Sequence, residues 1–395
     1  MTTLEPSPPS LSLFRLFLKF LRFGFLAFGG PVAQIAMVRQ VLVEEERWIS
    51  SVRFNRLLAV MQVLPGPEAH ELCVHLGMVA RGRIGGLLAG LGFMLPGFFL
   101  MLLAAWLYDS WIVGQPGTAS IFFGIQVAVL AIILRAVQRI GGHILEDRLL
   151  WIIAGVSFAT TLAGVPFWIP LLAGGLVYAL SERKALAALV LVAAAALAWV
   201  IPASNGFHPA AAVAAAGPAT TLALFIAGLK GGLLTFGGAY TAIPYVRADT
   251  VGRGWLSDGS FLDGVALAGI LPAPLVIFAT FAGYVAGGFS GAIAITIGMF
   301  LPAFAFSMIF FERLEAVVEH PALHRVLAGV AAAVVGVIAA TLVQLGWSTA
   351  ERASGFVAPV LIFAVALVLV WKLKGKFVIP ALVLAGGVAG WLLGL

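Results

Sequence analysis

Apolar residues follow one another along this chain in long runs that are broken by short polar or basic segments. Runs of roughly 20 apolar residues recur from Phe14 to Leu395, and a helix needs about that length to cross a hydrocarbon core of about 30 Å. The weak alternation, with abundant Ala, Leu and Gly, argues against a transmembrane β-barrel. The pattern therefore predicts an all-α polytopic membrane protein.

The runs predict 13 helical spans, with six in the first half, one linking span, and six in the second half. They cover residues 14–38, 55–80, 84–108, 119–140, 149–164, 166–180, about 185–202, 218–246, 261–286, 290–311, 325–345, 354–371 and 376–394. The corresponding units are a disordered tail at 1-13, a first repeat at 14-184, a linking helix and loop at 185-217, and a second repeat at 218-395.

Composition supports a lipid environment. The chain has 395 residues, of which 62% are hydrophobic and 10% charged, whereas soluble proteins are about 25% charged. The lone Cys73 excludes a disulfide within the chain and a cysteine metal cluster. Neither a Walker loop nor a dinucleotide fingerprint occurs, so we expect no cofactor, no metal, no ATP-driven transport and no nucleic-acid partner.

The two halves share a series of motifs in the same order. Phe28-Gly29-Gly30 recurs as Phe236-Gly237-Gly238, an offset of 208 residues (236 minus 28). Leu64-Pro65-Gly66-Pro67 recurs as Leu271-Pro272-Ala273-Pro274, and Trp48 is matched by Trp255. Self-similarity over roughly 80 residues, with Trp and Phe included, predicts an internal duplication.

An odd number of spans before the second half would invert it relative to the first. Lys and Arg placement supports this: with the N-terminus in the cytoplasm, segments 109–118, 203–217 and 287–289 fall outside and carry no Lys or Arg. Arg247, Arg253 and Arg325 fall inside, and the C-terminus falls outside. Segment 39–56 disagrees, because it places four arginines outside. It is interpreted either as an amphipathic surface helix or as a sign that the first span is a re-entrant hairpin.

Inverted repeats are a common plan of secondary transporters, whose substrate site lies near the midplane between the repeats. The Phe-Gly-Gly motif alone would also fit close helix packing through small residues. Its recurrence beside Pro31 and near Pro244 favours a broken helix, whose free N–H groups attract anions. The Pro-x-Pro segments carry a stronger signal, because two prolines remove two donors; a simple kink is the alternative.

Intramembrane charges are few. Lys230 lies within a predicted span beside Gly228, Gly231 and Gly232, and its repeat mate is Arg22. A cation inside a membrane is a functional candidate by default, although both side chains could instead reach toward the headgroups. Arg81 and Arg83 are interpreted as determinants of topology.

The first half also carries polar residues without polar counterparts in the second. Glu68, His70 and Glu71, with His75 one turn later, follow the first Pro-x-Pro segment. Because histidine titrates near neutral pH, the cluster is a candidate for proton coupling. An internal ion pair between Glu71 and His75 is the alternative, and the spacing does not fit a metalloprotease zinc site.

These motifs together resemble the chromate ion transporter (CHR) family in its long two-domain form. The resemblance rests on Phe28-Gly29-Gly30-Pro31, Leu64-Pro65-Gly66-Pro67-Glu68, Leu95-Pro96-Gly97 and their second-half counterparts, and covers about 14–108 and 222–311. It implies export of chromate from the bacterial cytoplasm, chromate resistance, sulfate as a competitor or alternative substrate, and membrane energy as the drive. Ala273 departs from the first-half motif, which has Gly66.

The expected function is therefore secondary transport of chromate or a sulfate-like oxyanion across the bacterial cytoplasmic membrane, with uptake of sulfate or another oxyanion as the alternative. A membrane-embedded enzyme or scaffold is less favoured, because no nucleophile and base stand together. A homodimer is a further expectation. The substrate-binding candidates are Lys230, Arg22, Phe28, Gly29, Gly30, Phe236, Gly237, Gly238, Pro65, Gly66, Pro67, Pro272, Ala273 and Pro274.

Overall fold

The computed structural model describes residues 8–62, 64–112, 115, 117–201, 217–236, 238–309 and 321–395. In these ranges all regular structure is helical, which confirms the predicted all-α class. Most of the predicted tail and of the loop at 203–217 lies outside the described residues.

The first half begins with short helices and continues with longer ones. Ser12 and Ser50 cap the N-termini of two of the short helices. Their hydroxyl oxygens accept hydrogen bonds from the backbone N–H groups of Arg15 and Arg53, respectively. The helices are α1 (Leu13–Phe25), α2 (Gly30–Arg39), α3 (Ser51–Met61), α4 (Glu68–Leu107), α5 (Thr118–Ile144), α6 (Arg148–Leu162), α7 (Trp168–Ala179) and α8 (Lys184–Val200), with π-helical turns at Gln40–Glu45 and Tyr108–Ile112.

The second half repeats this order of short and long helices. Its helices are α9 (Thr221–Leu233), α10 (Ile243–Thr250), α11 (Asp258–Ile270), α12 (Phe278–Ile309), α13 (Pro321–Glu351), α14 (Val357–Lys372) and α15 (Val378–Leu393), with 3₁₀ turns at Ala239–Ala242 and Leu275–Ile277.

Four predicted spans are each built from two separate stretches of helix. Among the described residues, the interruptions lie at 26–29, at 62 and 64–67, at 234–236 and 238, and at 271–274, where the Phe-Gly-Gly and Pro-x-Pro motifs lie. The prediction that both motifs break their helices is confirmed. With 13 residues, α1 is about 20 Å long, too short to cross a core of about 30 Å.

The predicted count of 13 spans is not confirmed. Among the described residues, four helical stretches have the length and the apolar composition to cross a membrane: Thr118–Ile144, Leu323–Glu351, and, each with a turn described below, Glu68–Ile112 and Leu275–Ile309. The apolar run at 14–38 is as long as a span, but the broken helix divides it into two shorter pieces.

The chain turns back after each Phe-Gly-Gly break. Beyond α2, Glu46 forms an ion pair with Lys19 in the middle of α1, and the Trp48 ring packs edge-on against Phe20 with ring centroids 6.3 Å apart. Beyond α10, the Trp255 indole N–H donates to the Gly217 carbonyl just before α9, at 3.1 Å. The helices on either side of each break therefore form a hairpin.

The long helices α4 and α12 each contain a sharp turn at equivalent positions. Gly82 and Gly288 both have φ +63°, a left-handed conformation that glycine adopts without strain. On either side of the turn, Gly77 packs against Gly85 and Gly283 against Gly291, each so closely that a Cβ would overlap the facing backbone. Both helices thus double back on themselves.

Two basic residues that the sequence predicts on one side of the membrane lie near opposite ends of helix α13. Arg325, near its start, pairs with Glu182, whereas Arg247 donates to the Gln344 side chain near its end, at 3.0 Å. Those α13 positions are 19 residues apart, about 28 Å along a helix. This separation does not support the prediction that Arg247 and Arg325 share one side of the membrane.

Candidate functional site

The four helix breaks meet in pairs, one member from each half. The Gly66 amide donates to the Thr235 carbonyl at 2.8 Å, which joins the first Pro-x-Pro break to the second Phe-Gly-Gly break. The buried Gln34 side chain donates to the Ala27 and Ala273 carbonyls, both at 2.9 Å. Backbone groups freed by one break are thereby satisfied by the other half, as a buried irregular segment requires.

Gly66 and Ala273 occupy matched breaks but different surroundings. Gly66 has φ +146°, and a Cβ there would lie 2.5 Å from the Glu71 carboxylate, so this position requires glycine. Ala273 faces Gly97, where an added Cβ would overlap the Ala273 methyl group. The methyl group of Ala273 is accommodated because Gly97 has no side chain.

A cavity of about 600 Å³ lies where the two halves meet; we call it the Arg139 cavity. Break residues from both halves line it, together with Tyr240 and the end of α5. Its charged lining residues are Arg139, Arg325, Glu68 and Glu146. Arg325 is paired with Glu182, whereas Arg139 has no ion pair or hydrogen bond from its side chain within the ranges the structure describes.

A second cavity, of about 640 Å³, contains Lys230 and is called the Lys230 cavity. The Lys230 ammonium lies 3.2 Å from the Asp249 carboxylate, which also contacts Arg253 at 3.2 Å. Arg247 binds both oxygens of Asp258, at 2.7 and 2.9 Å. The charged lining residues are Lys230, Arg247, Asp249, Asp258 and Glu351.

The second Phe-Gly-Gly break separates the two cavities. Leu234 lines the Lys230 cavity, Phe236 and Gly238 line the Arg139 cavity, and Thr235 between them is fully buried. On α13, residues up to Ala331 line one cavity and residues from Val337 onward line the other. An ion passing from one cavity to the other would therefore cross the Thr235 segment and the middle of α13.

The predicted site residues divide among these locations. Phe236 and Gly238 line the Arg139 cavity beside Pro31, and Gly237 lies outside the described residues. Phe28 packs on Phe377 with centroids 5.8 Å apart, and Gly29 packs against Lys376. Gly30, in the first turn of α2, is half-buried, whereas Pro65, Gly66, Pro67, Pro272, Ala273 and Pro274 are all buried.

The two predicted cations do not share one site. Lys230 lies in its own cavity, while Arg22 is exposed in the last turn of α1 and lines neither cavity.

The three candidates for proton coupling lie in different surroundings. Glu68 lines the Arg139 cavity. His70 is fully buried between the rings of Phe300 and Phe304, and the fully buried Glu71 carboxylate has no hydrogen-bond partner among the described residues.

Sequence reasoning missed several polar residues of the interior. Arg139 lies inside the predicted span 119–140 but was not among the predicted site residues. Asp263 likewise lies inside a predicted span, and its buried carboxylate accepts hydrogen bonds from Tyr108 and Gln126, both at 2.8 Å. The rule that flagged Lys230, that a charge inside a span deserves a functional explanation, would have found both.

The chain matches known proteins over its whole length. The family model described as "Chromate transporter" matches it twice, at residues 14–221 and 222–391. It is 58% identical to a "Chromate transport protein" of Pseudomonas aeruginosa, over 99% of this chain and 94% of that protein. It is 31% identical to a "Probable chromate transport protein" of Synechococcus elongatus, over 97% and 96%.

A "Chromate transport protein" of Cupriavidus metallidurans is also 31% identical, over 97% of this chain and 93% of that protein. No solved structure matches the chain. The matches confirm the resemblance drawn from the repeated Phe-Gly-Gly and Pro-x-Pro motifs, and they show that this multi-pass membrane protein belongs to the chromate transporter family.

Proposed function

We propose that this protein is a secondary transporter that exports chromate, or a sulfate-like oxyanion, across the bacterial cytoplasmic membrane and so gives chromate resistance. The observation that carries this proposal is the Arg139 cavity, which lies where the broken helices of both halves meet and contains an arginine without an ion pair among the described residues. The names of the relatives, which are chromate transport proteins, supply the substrate.

The chemistry of the Arg139 cavity suits a tetrahedral dianion. A guanidinium group can present two parallel N–H donors to oxyanion oxygens. Pro31, in the first turn of α2, lines the cavity, so the positive end of that helix dipole lies near the cavity. Sulfate has the same charge and shape as chromate, and we propose that it competes for the same groups.

We further propose an inverted-repeat topology in which the broken segments are re-entrant hairpins. With the N-terminus in the cytoplasm, the arginines of 39–56 then lie inside rather than outside, because α1 and α2 return to the side of entry. Arg247 and Arg253 move outside, and the C-terminus stays outside. This arrangement moves four arginines inside and two outside, so it lessens the disagreement with the positive-inside rule, and it keeps the repeat units at 14-184 and 218-395.

In the topology proposed above, with Arg325 of the Arg139 cavity inside and Arg247 of the Lys230 cavity outside, a charge difference between the cavities supports export. The Arg139 cavity is lined by two cations and two carboxylates, whereas the Lys230 cavity is lined by two cations and three carboxylates. Counted from the Lys, Arg, Asp and Glu side chains alone, the lining of the Lys230 cavity has one more negative charge than the lining of the Arg139 cavity. A dianion would therefore bind more readily in the Arg139 cavity and leave more readily from the Lys230 cavity, where Lys230 would contact it in passage.

Glu68, His70 and Glu71 are proposed to couple transport to protons. Glu68 lines the Arg139 cavity, and the Glu71 carboxylate lies against Gly66, whose amide holds the Thr235 segment between the cavities. Proton binding at these carboxylates could thus affect both the substrate cavity and its barrier. Glu71→Gln should make flux insensitive to an imposed pH gradient, whereas unchanged gradient dependence would remove Glu71 from coupling.

The lipid bilayer and a second copy of the chain are the proposed partners. Helix α8 has no buried residue, as expected for a helix that faces lipid or another protomer. Cross-linking through single cysteines placed on α8 would test the homodimer, since only a dimer gives a covalent pair.

The decisive test of function is oxyanion flux in proteoliposomes. Wild-type protein should transport labelled chromate and sulfate, and Arg139→Gln should lower the apparent affinity tenfold or more, because charge-assisted hydrogen bonds contribute about 1.5–3 kcal/mol. Arg183→Gln is the matched control, since Arg183 lies between α7 and α8 and lines neither cavity. Equal effects of the two changes would contradict the proposed site.

Direction needs a cellular measurement. Cells that express the protein should accumulate less chromate and survive it better than cells that express Arg139→Gln. Greater accumulation would indicate uptake, which is the alternative for a sulfate carrier.

A further inference from the structure

The carboxylate of Asp249 occupies an unusual position in the Lys230 cavity. It is shared by two cations, with Lys230 and Arg253 each at 3.2 Å, and the residue is only 7% exposed. Lys230 comes from the last turn of α9, and Arg253 follows α10. Cations from two elements thus converge on one carboxylate at the wall of a cavity large enough for several waters.

This arrangement has the chemistry of an oxyanion site that is already filled. One carboxylate oxygen of Asp249 accepts hydrogen bonds from both cations, and the Lys230 ammonium also lies 3.2 Å from the second oxygen, as cations gather around a chromate or sulfate ion. Without Asp249, Lys230 and Arg253 would present two positive charges beside a cavity whose other arginine, Arg247, is neutralised by Asp258. The carboxylate of Asp249 would repel an incoming dianion from Lys230, which has no other ion pair among the described residues.

We propose that the Lys230 cavity is a second oxyanion site in which Asp249 acts as a tethered competitor. When the ion arrives, it displaces the carboxylate from Lys230 and Arg253, and the carboxylate displaces the ion in turn. The competition keeps the affinity of this site low, which favours release into the adjoining solvent. The inference rests on the proposed function for the identity of the ion, but binding at this site can be tested without transport.

The comparison of the two repeats indicates that the role of Asp249 is specific to the second half. Lys230 has a basic mate in Arg22, but the residue matched with Asp249 at the same offset is Val41. The first hairpin is closed instead by the ion pair between Lys19 and Glu46, which lines neither cavity. Of the two hairpin carboxylates, only that of Asp249 is shared by two cations at the wall of a cavity.

The experiment is equilibrium binding of labelled sulfate to purified full-length protein in detergent. Asp249→Asn should bind sulfate at least tenfold more tightly than wild type, which is about 1.4 kcal/mol, whereas Asp249→Glu should remain weak because it keeps the carboxylate. Glu351→Gln is the matched control, because it removes one negative charge from the same cavity. The Glu351 carboxylate accepts a hydrogen bond from the Trp347 indole and does not pair with Lys230. Glu351→Gln should change affinity less than threefold.

Two double variants assign the gain to its site. Adding Lys230→Gln to Asp249→Asn should abolish the gain, and adding Arg139→Gln should leave it intact. An unchanged affinity in a folded Asp249→Asn protein, checked by its melting temperature, would overturn the proposal, as would equal gains in Asp249→Asn and Glu351→Gln. If Asp249→Asn does not fold, the same comparison is made with Asp249→Ser.

The outcome separates this inference from the proposed function. If wild-type protein transports oxyanions and Asp249→Asn gains no affinity, only the tethered competitor fails. If wild-type protein transports neither chromate nor sulfate, the proposed function fails, and tight sulfate binding by Asp249→Asn would still establish the site.

Discussion

The amide of Gly66 donates a hydrogen bond to the carbonyl oxygen of Thr235, at 2.8 Å, and so fastens the Pro-x-Pro break of one half to the Phe-Gly-Gly break of the other. Thr235 is the buried residue between the two cavities. A backbone hydrogen bond between segments of different repeats therefore helps to hold the barrier to an ion in place. Changes at Gly66 should act on stability and on the barrier together.

Gly66→Ala should destabilise the protein and impair transport. The left-handed φ of +146° strains any other residue, and the new Cβ would lie 2.5 Å from the Glu71 carboxylate and 3.3 Å from the Ala303 methyl group. Backbone strain of this kind costs about 1–3 kcal/mol. Gly155→Ala is the control, because Gly155 has open space around it. Melting temperatures in detergent should fall for Gly66→Ala and not for Gly155→Ala.

Replacing Pro65 and Pro67 together with Ala should abolish transport while the protein remains inserted and abundant. The change restores two N–H donors and lets residues 62–67 continue the helix from α3 to α4. A continuous helix would move the Gly66 amide away from Thr235. Flux normalised to membrane protein is the measurement, and undiminished flux would mean that the prolines only shape packing.

The helix breaks could be predicted from sequence because their causes are local. Proline removes a backbone N–H donor, and glycine permits a left-handed turn wherever it occurs. The breaks at the Phe-Gly-Gly and Pro-x-Pro motifs can therefore be recognised from the sequence alone. Whether a broken run crosses the membrane or turns back is not local. The apolar run at 14–38 fits a span and a hairpin equally well, and the contacts that distinguish them, Lys19 with Glu46 and Phe20 with Trp48, involve residues beyond the run.

The candidate site was predicted only in part for the same reason. Lys230 stood out because a charge inside an apolar span is rare, but its counter-ion Asp249 lies just beyond the predicted span and looks like an ordinary loop residue. Arg139 and Glu68 line one cavity although 71 residues separate them (139 minus 68). One sequence without an alignment contains no signal for that proximity.

Tyr108→Phe should lower stability by about 1 kcal/mol, the net value of a typical hydrogen bond. The Tyr108 hydroxyl donates to the buried Asp263 carboxylate, which joins the end of α4 to α11 in the other half. Tyr284→Phe is the matched control, because its hydroxyl has no hydrogen bond among the described residues. Thermal unfolding should separate the two variants; equal melting temperatures would mean that the contact adds nothing to stability.

The last prediction decides between hairpins and full spans in the first half. A cysteine at Arg47, an exposed residue between α2 and α3, should be modified by membrane-impermeant maleimide only after the cytoplasmic face is opened. The reason is that Glu46, its neighbour, pairs with Lys19 on the entering helix, so the loop lies on the side from which α1 enters. Thirteen full spans would instead place Arg47 outside and make it reactive in intact cells.

The labelling has internal controls in the two turns of the long helices. Cysteines at Arg83 and Ser290, both exposed beside the glycine turns of α4 and α12, should react from the inside and the outside, respectively, under either topology. Cys73 is buried and is replaced by Ala to leave one thiol per protein. Because the controls fix both faces in the same preparation, labelling of the Arg47 position from outside would refute the first hairpin while leaving the inverted repeat intact. Labelling from inside would require the chain to turn back at Phe28-Gly29-Gly30, since the start of α1 and the end of α2 would then lie on the same side of the membrane.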